Sequence, residues 1–140
     1  MKILFDTNII LDVLLDREPF SDLALKLVSK AEKKEIKGYL GATTVTTIYF
    51  LASKVAGKKK ADLEISKLLS IFQIAPVNKS VLTEAIKSKF SDFEDAVLHE
   101  AAKQSRVQGI VTRNPKDFKN ATLSIFNPEE LYKMLISIIN

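Results

Sequence analysis

The chain contains no cysteine, which excludes a disulfide framework and a thiolate metal centre and fits a reducing, cytoplasmic setting. It contains one histidine, His99, and a lone imidazole is more often a packing or surface residue than a catalytic base. No apolar run approaches the roughly 20 residues that span a bilayer, and the first residues lack the basic segment and cleavage site of a targeting signal. Internal repeats, low-complexity tracts and linkers are missing too, so the 140 residues are expected to form one domain, 1–140, around one sizeable core. Nor is there a large excess of one charge: 21 basic against 17 acidic residues leave +4, too mild to mark a nucleic-acid binder by itself. Lys30, Lys33, Lys34 and Lys37 cluster, as do Lys58, Lys59 and Lys60, and such runs are usually solvated helix faces.

What the sequence does hold is an alternation of short apolar runs with helical periodicity. Lys2 to Phe5 reads as a buried strand that ends on Asp6-Thr7-Asn8, after which Ile9, Ile10, Val13 and Leu14 recur at helical spacing. Asp16 to Phe20 reads as a turn, with Ser21 as N-cap of a second helix to about Glu35. Ile36 to Ala42 is a strand weakened by two glycines. Thr43 or Thr44 then caps a helix over Val45 to Ala56, closed by Gly57. Lys58 to Lys60 reads as a basic connection into a helix from Ala61 to Phe72. Ile74 to Val77 is a strand whose Pro76 points to a sheet edge, and Asn78 starts a helix to about Ser88. Ser91-Asp92-Phe93-Glu94 has the form of a capping box, Ser91 accepting and Glu94 reaching back, at the start of a helix to about Ser105. Gly109 opens the strand Ile110 to Thr112, Leu123 to Phe126 is the last strand, and Asn127-Pro128-Glu129-Glu130 begins the last helix. This alternation predicts the α/β class: a three-layer α/β/α sandwich around a mainly parallel sheet of four or five strands.

In a parallel sheet the loops after the strands open at one edge, where such sheets bind their ligands. Three acidic stretches reach that edge: Asp6 with Asn8 and Asp12, Asp92 and Asp95 on one helical face, and Asp117 with Thr112 and Asn114. Facing carboxylates repel unless a cation or proton sits among them. An oxygen-only donor set suits Mg²⁺ or Mn²⁺ rather than zinc or iron. Such a site promotes phosphodiester hydrolysis, so the chemistry indicated is that of a metal-dependent nuclease.

Phe5-Asp6-Thr7-Asn8-Ile9-Ile10-Leu11-Asp12, Asp92-Phe93-Glu94-Asp95-Ala96 and Ile110-Val111-Thr112-Arg113-Asn114-Pro115-Lys116-Asp117-Phe118, in that order and spacing, resemble the PIN domain family and its small VapC-like toxin members. The resemblance covers nearly the whole chain. It implies a PIN-like α/β/α fold with a four-carboxylate Mg²⁺ or Mn²⁺ site that cleaves single-stranded RNA, often as the toxin of a toxin–antitoxin pair. By motif, Asp6 matches the first metal carboxylate, Asp95 the third and Asp117 the fourth, while Thr7, Asn8, Thr112 and Asn114 would position ligands, water or phosphate. The resemblance also implies a homodimer silenced by an antitoxin protein inserted near the acids.

One position departs from the pattern. The family generally places an acid early in the helix after the second strand, whereas Thr43-Thr44-Val45-Thr46-Thr47 contains none and Thr47 stands about where it is expected. Either Asp92 or Glu94 supplies the charge from the facing helix, or the metal is held more weakly, or activity is reduced. A PIN-like module that binds RNA or protein without cutting therefore stands beside the nuclease. A phosphatase using Asp6 as nucleophile is weaker, because Asn8 occupies the position of its second acid. Duller readings stand for single residues: Glu94 as capping-box partner, Asp92 as a helix-dipole acid, Asp12 on a solvated face, and Tyr49-Phe50 in the core.

Overall fold

A computed structural model describes residues 1–139. Five strands, β1 (Lys2–Phe5), β2 (Lys37–Gly41), β3 (Gln73–Ala75), β4 (Gly109–Val111) and β5 (Ser124–Phe126), form one sheet in the order β3-β2-β1-β4-β5, every pairing parallel. Six α-helices lie in the connections, α1 (Thr7–Leu14), α2 (Ser21–Glu32), α3 (Ala42–Ala56), α4 (Lys58–Ile71), α5 (Lys79–Lys87) and α6 (Phe93–Gln104), and α7 (Pro128–Ile139) follows β5. A 3₁₀ turn spans Pro115–Phe118.

Alternation along the central strand explains the three layers. Ile3 and Phe5 face one side and pack with Ile9, Leu27, Leu68 and Leu131, drawn from α1, α2, α4 and α7. Leu4 faces the other and packs with Val81, Val97, Ala101 and Phe118, drawn from α5, α6 and the 3₁₀ turn. All these residues but Leu68 and Val97 are completely or almost completely buried, as expected for a parallel sheet covered on both faces. The α/β/α architecture read from the sequence is thus the observed one, with five strands.

The departures are local. Helix α4 starts at Lys58, so the lysine run is its first turn and not a connection; Lys58 is held by Asp62 four residues on, at 3.0 Å. Gly57, at φ 89°, makes the turn between α3 and α4 that a side chain would resist. Helix α2 already includes Ser21, and α3 begins at Ala42, ahead of Thr43 and Thr44. Asp92, not Ser91, caps α6, accepting from the Asp95 N–H at 2.9 Å. The reciprocal box forms instead at α7, between Asn127 and Glu130. Phe50 is exposed rather than core, and the Tyr49 hydroxyl donates to Asp62.

The glycines of β2 admit close neighbours. A Cβ on Gly38 would stand 2.7 Å from the Phe72 ring and 3.0 Å from Ala31. That ring is buried edge-on against Phe5, centroids 5.1 Å apart, and has nowhere to retreat. Gly38→Val is therefore expected to cost about 2–3 kcal/mol by overpacking, lowering the melting temperature by roughly 5–10 °C. An unchanged melt followed by circular dichroism would refute this tight approach.

Candidate functional site

The carboxyl edge of the sheet is where the chain gathers its acids. Strand β1 delivers Asp6 just beyond Phe5, its backbone N–H donating to the Val111 carbonyl of β4 at 3.0 Å. Both oxygens of its carboxylate are engaged: Oδ1 accepts from the Thr7 N–H at 2.8 Å and Oδ2 from the Thr112 hydroxyl at 2.7 Å. Asp6 is thus the N-cap of α1, and the same group faces the cleft. Thr112, fully buried, accepts in turn from the Asn114 N–H at 3.0 Å. The ends of β1 and β4 are tied together through this one hydroxyl.

A cleft of about 400 Å³ opens there, walled by Asp6, Asp92, Glu94, Asp95 and Asp117 among its acids and by Arg17 and Arg113 among its bases. Five acids against two arginines make the cleft locally anionic on a chain whose net charge is +4. Half-buried Asp95 feels this most. Burial first, then the charges of Asp92, Asp6, Asp117 and Glu94, push its pKa up to about 7. Asp6 is shifted in the same direction by burial, opposed by its bonds from Thr112 and Thr7 and reinforced by Asp117 and Glu94.

The donor chemistry fits a hard cation. Every cleft acid is a carboxylate, and Asn8 Oδ1 is buried on the same wall with no hydrogen-bond partner. Among the described residues no three His, Cys, Asp or Glu side chains form a ready-made cage. An open ring of carboxylates suits an ion that keeps several of its waters, as Mg²⁺ does.

Asp6, Asp92, Asp95, Asp117, Thr7, Asn8 and Asn114 all border this cleft, and Thr112 lies directly behind Asp6. Glu94 borders it too and is no capping-box partner, because the cap lies at Asp92. Thr47 does not: its hydroxyl donates back to the Thr43 carbonyl at 3.0 Å. Thr43 and Thr44 line the cleft instead, and the Thr44 hydroxyl meets that of Thr7 at 2.8 Å. His99 is buried against Phe90 and accepts from the Thr122 N–H at 3.0 Å through Nε2, and burial lowers its pKa.

Sequence reasoning missed the cations. Asp12 is fully buried, not on a solvated face, and it grips both arginines. Arg113 forks onto it with Nε–Oδ2 at 2.7 Å and Nη2–Oδ1 at 3.2 Å, while Arg17 Nε stands 3.0 Å from Oδ1 as an ion pair without hydrogen-bond geometry. Arg113 also lies 3.9 Å over the Phe20 ring. The lysine cluster around Lys30 to Lys37 sits elsewhere: Lys37 begins β2, at the sheet edge opposite the acids, and Lys30 pairs with Glu35 at 2.8 Å. Nothing in residue spacing announces this, since Arg113 reaches Asp12 from 101 residues away.

Comparison with known proteins bears on the same geometry. The PIN domain family model matches residues 2–116. The chain is 25% identical over 134 residues to the ribonuclease VapC1 of Aquifex aeolicus (strain VF5), with 92% of each chain covered. Its fold is similar to that of a chain of a toxin-antitoxin complex from Klebsiella pneumoniae, at TM-score 0.69 and 21% identity, covering 90% of this chain and 97% of that one. It is similar too to that of a chain of VapBC2 from Rickettsia felis bound to a DNA fragment from their promoter, at TM-score 0.70 and 15% identity, covering 91% and 98%. No helix among the described residues is long and apolar enough to cross a membrane.

Proposed function

The chain belongs to the PIN domain family, and from that premise we propose that it is a divalent-metal-dependent endoribonuclease acting on single-stranded RNA. The observation that carries the proposal is the convergence of five carboxylates and two arginines on one cleft at the carboxyl edge of the sheet. The named relative, a ribonuclease, supports the same chemistry.

Asp6, Asp95 and Asp117, with Asp92 beside them, would hold Mg²⁺ or Mn²⁺. Held there, such an ion would supply Lewis-acid chemistry, a more acidic water and charge stabilisation at the phosphate. The chain's own groups do the rest. Thr112 fixes one oxygen of Asp6 by donating to it, which leaves that carboxylate oriented as an acceptor toward the cleft. Thr7 and Thr44 share a hydroxyl pair on the facing wall, where either can turn a proton toward substrate or water. Asn8 and Asn114 offer amides to phosphate or water. Arg17 and Arg113 supply the positive charge that draws a polyanion to an acidic site.

The rest of the proposal follows from the same relatives and composition. We take 1–140 as one PIN domain, a cytoplasmic protein that acts as a homodimer, with an antitoxin protein as its partner; only this last part has support from the toxin-antitoxin complex of Klebsiella pneumoniae. The competing reading, a module that binds RNA or protein without cutting, draws on the absence of an acid from Thr43 to Thr47, the stretch of α3 that reaches the cleft through Thr43 and Thr44.

Labelled single-stranded RNA incubated with the purified chain distinguishes the two. Cleavage in Mn²⁺ or Mg²⁺, lost in EDTA and regained on adding the metal back, is the expected result. Binding without a cut in either metal would give the competing reading the field.

A further inference from the structure

A second pocket of about 560 Å³ adjoins the acid cleft, and the two share Arg113 and Asn114 as a common wall. We infer that this pocket seats an unpaired nucleobase of the strand whose backbone crosses the acid cleft, an inference that rests on the nuclease proposal. Its size lies within the roughly 300–1,000 Å³ of ordinary small-ligand sites. Its apolar lining comes from Pro19, Phe20, Leu23, Ala24 and Pro128, beside the Asp12–Arg113 pair. Phe20 is 41% exposed and lines this pocket, so part of a large ring faces solvent within it.

Arg113 makes the pocket more than an apolar dent. Its guanidinium lies 3.9 Å over the Phe20 ring and is forked onto Asp12, so a planar cation and an aromatic ring are already stacked and fixed. Such planes are what unpaired bases stack on, and fixing them in advance removes the ordering cost from binding. Glu129 on the rim repels phosphate, so the pocket admits the base while the backbone stays on the side of the two arginines. The amides of Asn114 and Asn127 stand within the same wall, where they can meet the polar edge of a base. The Asn127 Oδ1 already accepts from the Glu130 N–H, which leaves its NH₂ for the pocket.

The test uses the full chain carrying Asp95→Asn, so that the RNA stays whole, and a labelled single-stranded RNA in which one nucleotide at a time is abasic. Fluorescence anisotropy should find one position where removing the base weakens binding on the order of tenfold. Phe20→Ala should weaken binding of intact RNA by the same factor and become indifferent to that abasic site, and Phe20→Tyr should restore both. Because Phe20 is 41% exposed, the melting temperature of Phe20→Ala should fall by only a few degrees, and the restored contrast in Phe20→Tyr separates lost stacking from lost folding. Equal weakening of intact and abasic RNA by Phe20→Ala, or no effect on either, overturns the pocket and leaves the nuclease proposal standing. Failure of the parent chain to bind any of these RNAs overturns the nuclease proposal itself.

Discussion

Asp95→Asn is expected to reduce RNA cleavage by at least about a hundredfold, the rate equivalent of about 3 kcal/mol, while raising the stability of the metal-free protein at pH 8. The two effects have one cause. Asp95 shares the cleft with Asp92, Asp6, Asp117 and Glu94, and burial and these charges push its pKa up to about 7. A carboxyl raised in the folded state contributes stability that is full below its unfolded pKa and is lost as pH rises through the folded value. The metal-free protein should therefore lose this contribution between about pH 4 and pH 7, and Asp6, shifted the same way, adds to the trend. Solvent screening at a half-buried group holds the difference at pH 8 to roughly 1–2 kcal/mol. The neutral amide should thus melt a few degrees higher than the parent in EDTA at pH 8, and no higher at pH 4. Added Mg²⁺ should stabilise the parent, since an ion that binds only the folded state does so by mass action, and should do little for the variant. A variant that cuts RNA normally, or that melts lower than the parent at pH 8 without metal, would show that Asp95 is not one of a crowded set of charges held for a cation.

The strands were legible because each holds a short apolar core, even β2 with its two glycines, and the parallel order followed from the helices that separate the first four of them. Edges were less legible, for reasons visible in particular residues. Lysine is a good helix former, so Lys58 to Lys60 could start α4 at once, once Gly57 supplied the turn. Ser91 and Asp92 are both competent caps, and a one-residue difference decides whether Glu94 bends back to the backbone or faces the cleft. Asp6 and Asp117 were readable since a parallel sheet brings its strand ends together, and Asp92 and Asp95 since a helix running back to the start of β4 must begin at that same edge. The cations were not, because a salt bridge between α1 and the loop after β4 leaves no trace in local spacing. Asp12 in particular follows Leu11 in an apolar helix, and only the fold reveals that it points at two guanidinium groups.

Asp12→Ala is expected to destabilise the protein by about 3 kcal/mol, the lower end of what removing one partner of a buried ion pair costs, and to lower its melting temperature by roughly 10 °C. Asp12 is fully buried and carries two cations, while the side chains of Arg113 and Arg17 keep 23% and 38% of their exposure. Without the carboxylate both guanidinium groups can swing toward water, which limits the loss but takes them off the cleft wall. The functional effect then goes beyond stability. If the arginines hold backbone phosphates, each phosphate released should reduce the slope of log affinity against log salt by about 0.7 for a single strand, and Asp12→Ala should shrink the slope as much as Arg17→Ala and Arg113→Ala together. In the double variant Asp12→Ala with Arg113→Ala, the RNA affinity should fall no further than in Asp12→Ala alone, because the carboxylate acts through that guanidinium. Asp12→Asn, which keeps one acceptor oxygen for the Arg113 fork but no charge, should fall between the parent and Asp12→Ala in both melting temperature and slope. A destabilised Asp12→Ala protein whose salt slope equals that of the parent would confine Asp12 to the core and leave the arginines without a part in holding RNA.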